Sequence, residues 1–358
     1  MPDILSSVST LQASLTRRRL TAQLTRDLGV AEKEATTGLR ADVFRDLGAR
    51  AASSVTLRSQ IERTESYVTS NTLLAGRLDL TAQTMQGIRE IAQDFLALAV
   101  ANGQSTGATK TEVQAAARGA LDQVIAAGNT RYQGKSLFSG IDTGAQALTE
   151  WQNDGPSGLT PEQVMTVLIG TTPANTTEAN TAIDKIDRAF DGTLGAVNRR
   201  YESTFYGGAP ANQTSGAPNE RLTARIDEGV ELAHGVQAND PAFRDMLQGL
   251  SMLTALDPAE ITDPDAYETY VGAAIDRLSS GISGMLDLET RLATQQELLD
   301  RTITAQEDLS DIYQSRVLDL EAVDPYEAAT RLTLLETQLN SSYAITARLQ
   351  NLTLLNFL

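Results

Sequence analysis

Residues 128–140 read Gly-Asn-Thr-Arg-Tyr-Gln-Gly-Lys-Ser-Leu-Phe-Ser-Gly and contain Gly134-Lys135-Ser136, the closing triplet of a phosphate-binding loop. Such a loop cradles phosphates with backbone N–H groups and a helix N-terminus, and its lysine reaches the outer phosphates. It needs four residues between its first glycine and the Gly-Lys-Ser/Thr, whereas five separate Gly128 from Gly134. The flanking elements are wrong as well. "TEVQAAARGALDQVIAA" reads as a helix where the loop needs a buried strand. "LFSGIDTGA" is apolar and then turn-rich, with no helix to supply a dipole. The spacing predicts instead a helix exit at Gly128 and then a tight strand–turn element.

Little other chemistry is on offer. The only histidine is His234, and there are no cysteines. A multi-histidine zinc site, thiolate metal sites, disulfides and a Ser-His-Asp triad with a spare base are therefore excluded. His234 lies in the alternating stretch "ELAHGVQA" and is expected at the surface or a strand edge. Asp324 forms carboxylate pairs with Glu321 or Glu327, as any acidic helix does by chance, and no cleft marks them. The expectation is no enzyme, no cofactor and no metal. A net charge of −17 speaks against a nucleic-acid partner, which needs a basic surface to release counterions. No segment approaches the ~18 consecutive apolar residues that span a bilayer. The N-terminal "MPDILSSVSTLQASLTRRRL" has no basic residues before a continuous apolar run, so it is not a cleavable secretion signal. The chain is expected either to stay in the cytoplasm or to leave by a route that cleaves nothing.

The elements are mostly helices. Ile4, Val8, Leu11 and Leu15 step by four, three and four, and Leu20, Leu24 and Leu28 follow after a phase slip near Arg17-Arg18-Arg19. Gly38 and Gly48 bracket a break. From about Ala49 a long helix runs, with Ile61, Val68, Ala75 and Ala82 repeating every seven residues and Leu78 and Met85 at companion positions. Ile88, Ala92, Phe95 and Ala99 extend that seam, and sustained heptads mean helix-on-helix packing. A shorter helix covers 109–127. Residues 129–238 hold most of the prolines and glycines. There "RLTARIDEGVELAHGV" reads as β, and helical patches lie at Pro161–Ile169 and Glu178–Arg188. A helix starts after Asp240-Pro241, and a very long one spans 265–323, a rod of roughly 90 Å. Asp324 and Pro325 form a hinge, because proline lacks the N–H and disfavours a helical predecessor. The last helix carries Ala328, Leu332, Leu335, Leu339, Tyr343, Leu349, Leu352 and Leu355.

The plan is palindromic: terminal helix, break and long helix, then a β-containing middle, then long helix, break and terminal helix. The fold class is mainly α with an α+β insertion, built as an elongated rod of long antiparallel helices from both chain ends. Three regions follow: 1–45 with 325–358 as a terminal assembly region, 46–128 with 240–324 as a long-helix shaft, and 129–239 as the β-containing outer domain. Residues 1–60 carry a net charge of +3 and residues 299–358 a net of −5, which favours association of the two arms. An isolated terminal helix buries too little to fold alone, so both ends are expected to order on assembly.

This arrangement resembles the bacterial flagellin family. "AAGNTRYQGKSLFSG" is similar to the family's turn stretch through Asn129, Tyr132, Gly134, Lys135, Leu137, Phe138, Ser139 and Gly140. "TFYGG" at 204–208 resembles a short strand of the members that join hook to filament. "LETQLNSSYAITARLQNLTLLNFL" resembles the family's C-terminal ending. Thr37-Gly38 stands where the family usually has Ser-Gly.

The resemblance implies a structural, non-enzymatic flagellar protein that polymerises through its end helices and leaves the cell through the flagellar export apparatus. The implied assembly residues are Ile4, Val8, Leu11, Leu15, Leu332, Leu335, Leu339, Tyr343, Leu349, Leu352 and Leu355. Implied partners are further copies of itself, hook-associated protein 1, flagellin, and an export chaperone on the C-terminal region, with no nucleic acid and no membrane. A filament subunit shares both arms. A cytoplasmic coiled-coil scaffold shares only the heptads, and the apolar "NLTLLNFL" would leave it a sticky free end.

Overall fold

The computed structural model describes residues 3–102, 107–213 and 216–355, with side chains described at 12, 14–101, 110–213 and 216–348. In chain order the main elements are α1 (Asp3–Thr37), α2 (Val43–Leu47), α3 (Ala51–Asn102), α4 (Gly107–Gly128), β1 (Arg131–Tyr132), β2 (Lys135–Ser136), α5 (Pro161–Ile169), α6 (Thr176–Phe190), α7 (Tyr201–Thr204), β3 (Thr223–Asp227), β4 (Val230–Ala233), α8 (Pro241–Ala255), α9 (Pro264–Glu321) and α10 (Pro325–Leu355). Two compact units result, Met1–Ser66 with Ala305–Leu358 and Tyr67–Thr304.

In the first unit α1 packs on α10, antiparallel. Thr21 meets Ser342 through their hydroxyls at 3.3 Å, and Glu34 meets Arg331 at 3.7 Å. The seam is a heptad. Leu24 and Leu28 are half-buried and Ala31 is fully buried, facing Ala328, Leu332, Leu335 and Leu339 of α10. The starts of α3 and the end of α9 form a second antiparallel seam of small and polar residues, among them Ala51, Ser54, Thr64, Gln306, Ser310 and Val317. The second seam has few large apolar side chains, while the first rests on half-buried and buried leucines.

The second unit has a thicker core. On α3 the buried positions recur every seven residues as Asn71, Leu78, Met85, Ala92 and Ala99, and they meet Leu278, Met285, Leu288, Leu292 and Leu299 of α9. At the seam between α8 and α9 two glycines let backbones touch. A Cβ on Gly281 would lie 2.5 Å from the Met246 nitrogen, and one on Gly249 would lie 2.6 Å from the Ala274 carbonyl oxygen. Among the described residues the strands form two antiparallel hairpins, β1 with β2 and β3 with β4, the second with a bulge between Arg225 and Asp227. α5 begins with a reciprocal cap between Thr160 and Gln163.

Two local expectations change. "TFYGG" is not a strand: Thr204 closes the one-turn α7, and Tyr206 alone bridges, to Leu148. The reason lies in the rings. Tyr201 and Phe205, four apart and so on one helical face, stack at 5.7 Å, and both pack on Phe190. His234 follows β4, but it is buried at 8% exposure rather than superficial.

Candidate assembly surface and joint

The joint between the terminal helices and the long ones is built from backbone pairing and two buried carboxylates. α1 stops where Gly38 takes φ +69°, a left-handed cap that glycine tolerates without strain. The chain then pairs as a single bridge between Leu39 and Ala322. Its hydrogen bonds run from Arg40 N–H to the Glu321 carbonyl at 2.8 Å and from Val323 N–H to the Gly38 carbonyl at 2.9 Å. α10 starts at Pro325, whose missing N–H would be unpaired in a first turn anyway. Asp324 Oδ1 caps that turn, accepting from Tyr326 N–H at 2.8 Å and Glu327 N–H at 3.4 Å. Asp324 thus lies in a break that spans 322–324 and Pro325 opens α10, and the break is fixed by the bridge to Leu39 as well as by the proline.

Glu321 is 2% exposed, and its carboxylate collects the donors of α3. Ser54 Oγ donates a short hydrogen bond to it, and Arg58 donates from Nε at 3.1 Å and Nη2 at 2.5 Å. The Arg58 hydrogen bonds hold the carboxyl below the usual glutamate range, outweighing its burial. Glu34, also buried, accepts from Ala41 N–H at 3.2 Å and faces Arg331. Heptad reading passes over both glutamates, because buried carboxylates carry no apolar signal. Both nevertheless sit where a helix must end against a break.

The predicted assembly residues divide. Leu335 is buried, and Leu332 and Leu339 are half-buried in the α1–α10 seam. Leu15 and Tyr343 are outside it, at 47% and 54% exposure, in company with exposed Leu20, Leu334 and Ile345. Ile4, Val8 and Leu11 belong to α1 and Leu349, Leu352 and Leu355 to α10, but their side chains lie outside the described residues.

The turn stretch is a packing device. Asn129 pairs with Leu148 on both sides of its amide: Nδ2 donates to the Leu148 carbonyl and Oδ1 accepts from the Leu148 N–H, each at 2.8 Å. Gln133 and Gly134 both have positive φ, 50° and 79°, the backbone of a type I′ turn joining β1 to β2. Tyr132 lies over Gly76, where an added Cβ would come within 2.9 Å of its hydroxyl. Leu137 and Phe138 are buried, and Phe138 meets Phe243 at 5.4 Å. Gly140, φ +70°, leaves room for the Gln237 amide. Lys135 points to solvent and Ser136 is buried, so the Gly-Lys-Ser triplet forms no phosphate cradle. Among the described residues no cluster of three His, Cys, Asp or Glu could hold a metal, and no helix is long and apolar enough to cross a membrane.

Comparison with known proteins assigns residues 8–143 to the bacterial flagellin N-terminal helical region and residues 269–358 to the bacterial flagellin C-terminal helical region. The chain belongs to the bacterial flagellin family. The two matched regions cover α1–α4 with the turn stretch, and nearly all of α9 with α10. No curated protein matches this flagellin-family chain. A solved structure assigned to the flagellar hook-associated proteins of Vibrio parahaemolyticus is similar at 13% identity and a TM-score of 0.45, over 77% of this chain and 99% of that one. The flagellin-family protein is accordingly a structural component of the bacterial flagellum, one that polymerises and associates with other axial proteins.

Proposed function

We propose that this flagellin-family protein is the hook–filament junction protein, hook-associated protein 3, linking hook-associated protein 1 to flagellin through its paired terminal helices. Residues 1–45 with 325–358 form its inner assembly region, 46–128 with 240–324 its shaft, and 129–239 its outer domain. The observation that carries the polymerising role is the surplus of apolar surface on α1 and α10. Once the seam between them is filled, Leu15, Leu20, Leu334, Tyr343 and Ile345 are still exposed. A single pair of helices covers one face of each, so the other faces need neighbours. The junction role rests on the chain length and on the sequence likeness of residues 131–140 and 204–208 to junction proteins, although 204–208 does not form the expected strand. The protein is exported unfolded without a cleaved signal, with a chaperone on its C-terminal region.

Copy number tests this reading against that of a filament subunit. Quantitative mass spectrometry on flagella sorted by length should find a constant number of copies per flagellum. A number rising in proportion to filament length would make the protein a filament flagellin instead.

A further inference from the structure

α1 has a second face that its partner helix leaves uncovered. Along it Arg19, Ala22, Arg26, Gly29 and Lys33 alternate steps of three and four, with Arg18 beside them, turned away from Leu24, Leu28 and Ala31. Arg18, Arg19, Arg26 and Lys33 are exposed, and none has an ion-pair partner among the described residues. The end of α9, in the same compact unit, presents the complement. Asp308, Asp311 and Asp319 are exposed on the side opposite Gln306, Ser310 and Val317, with exposed Glu307 and Arg316 on its two edges, and the four carboxylates too lack ion-pair partners among the described residues. Exposed Ile312 sits within this acidic strip, as Ala22 and Gly29 sit within the basic one. At 1.5 Å per residue the basic strip is about 22 Å long and the acidic strip about 18 Å. Two strips of opposite sign, matched in length and both unused within the chain, suit each other across a boundary between copies.

We propose that the basic face of α1 in one copy docks on the acidic face of α9, residues 307–319, in a neighbouring copy. This deepens the polymerising reading above and rests on it. The charges set register and partner choice, while the small and apolar residues between them allow close helix approach. The structure makes the contact a matter between copies, because within one chain each strip faces solvent.

Charge reversal tests it. Arg19→Glu with Arg26→Glu should raise the critical concentration for assembly about tenfold, as two charges of the basic face lose attraction and gain repulsion. Asp308→Lys with Asp311→Lys should do the same. The combined four-site variant should return to near the wild-type value, because the attraction is restored with its sign exchanged. Circular dichroism should show all three as helical as the wild type, since every substituted side chain is exposed. Raising sodium chloride from about 0.05 to about 0.3 M should weaken wild-type assembly and narrow the gap to the variants. Normal assembly of either two-site variant would overturn the contact while leaving polymerisation intact, and so would a combined variant that stays defective. A wild-type protein that never assembles would remove the polymerising reading itself. Capture of a different axial protein by the basic face, with self-assembly unaffected by the reversals, would overturn a second copy as the occupant.

Discussion

At the scale of single residues, the two compact units carry separate pH sensors. In the larger unit His234 is buried with its Nδ1 unpartnered, and burial, helped by the nearby Arg77 charge, lowers its pKa to about 4. The unfolded chain takes up that proton near the ordinary value of about 6.5. Between those values the unfolded state binds a proton that the folded state refuses, so stability falls as the pH drops from about 6.5 to about 4 and then levels off. His234→Gln should abolish this part of the loss, read from urea unfolding at pH 7 and pH 4.5. In the terminal unit the sign follows an acid. Glu321, held low by Arg58, contributes stability above the ordinary glutamate pKa and loses it as the pH falls through its own lower value. Glu321→Ala should cost the terminal unit about 2 kcal/mol at neutral pH, chiefly by leaving the buried Ser54 hydroxyl unsatisfied, while the half-exposed Arg58 turns to water. Hydrogen exchange of α1 and α10 would register it, and unchanged protection there would refute it. Neither role was legible in the sequence. The heptad that places Leu78 and Met85 does reach back by sevens to Asn71 and Thr64, both buried, but polar residues hide that extension. Asn71 earns its interior place by donating to the Ile226 carbonyl of β3 at 2.8 Å.

At the scale of elements, periodicity located the helices well, since a three-four repeat in 3.6-residue turns can mean little else over such lengths. It did not say which stripe meets which. On α1 the reading took Ile4, Val8, Leu11 and Leu15, then Leu20, Leu24 and Leu28, as one stripe with a slip near Arg17. In the described part of α1 the seam with α10 uses Leu24, Leu28 and Ala31, while Leu15 and Leu20 are exposed. On α10 the seam turns from Leu339 to Ser342, and Tyr343, one residue on, faces outward. Neighbours in sequence differ by about 100° around a helix, so a slip of one residue separates an internal contact from an external one. The glycines of α9 illustrate the same dependence on packing. Gly281→Ala would push a methyl group into the α8 backbone at Met246 and should cost about 2 kcal/mol or more. Gly272→Ala meets nothing within 4 Å and should be neutral or stabilising by up to ~1 kcal/mol. Equal effects of the two in urea unfolding, followed by Trp151 fluorescence, would mean that the α8–α9 approach is looser than described.

At the scale of the whole molecule, the two-helix seams of the terminal unit and the aromatic-rich core of the other should melt separately. Trp151, the only tryptophan, is buried in the larger unit and reports on that unit alone. Helical circular dichroism reports on both. On heating, dichroism at 222 nm should begin to fall before Trp151 fluorescence changes. Coincident transitions would make the protein one cooperative block. By itself the sequence determined the helices, their palindromic order, the two hairpins' neighbourhood and the family, because these follow from local periodicity, turn residues and short motifs. Only the tertiary structure decided which faces of α1 and α10 meet, that carboxylates rather than a proline alone secure the joint, and that "TFYGG" closes a helical turn. Those outcomes depend on partners distant in the chain. Such partners choose among faces and conformations that local patterns leave nearly equal in energy.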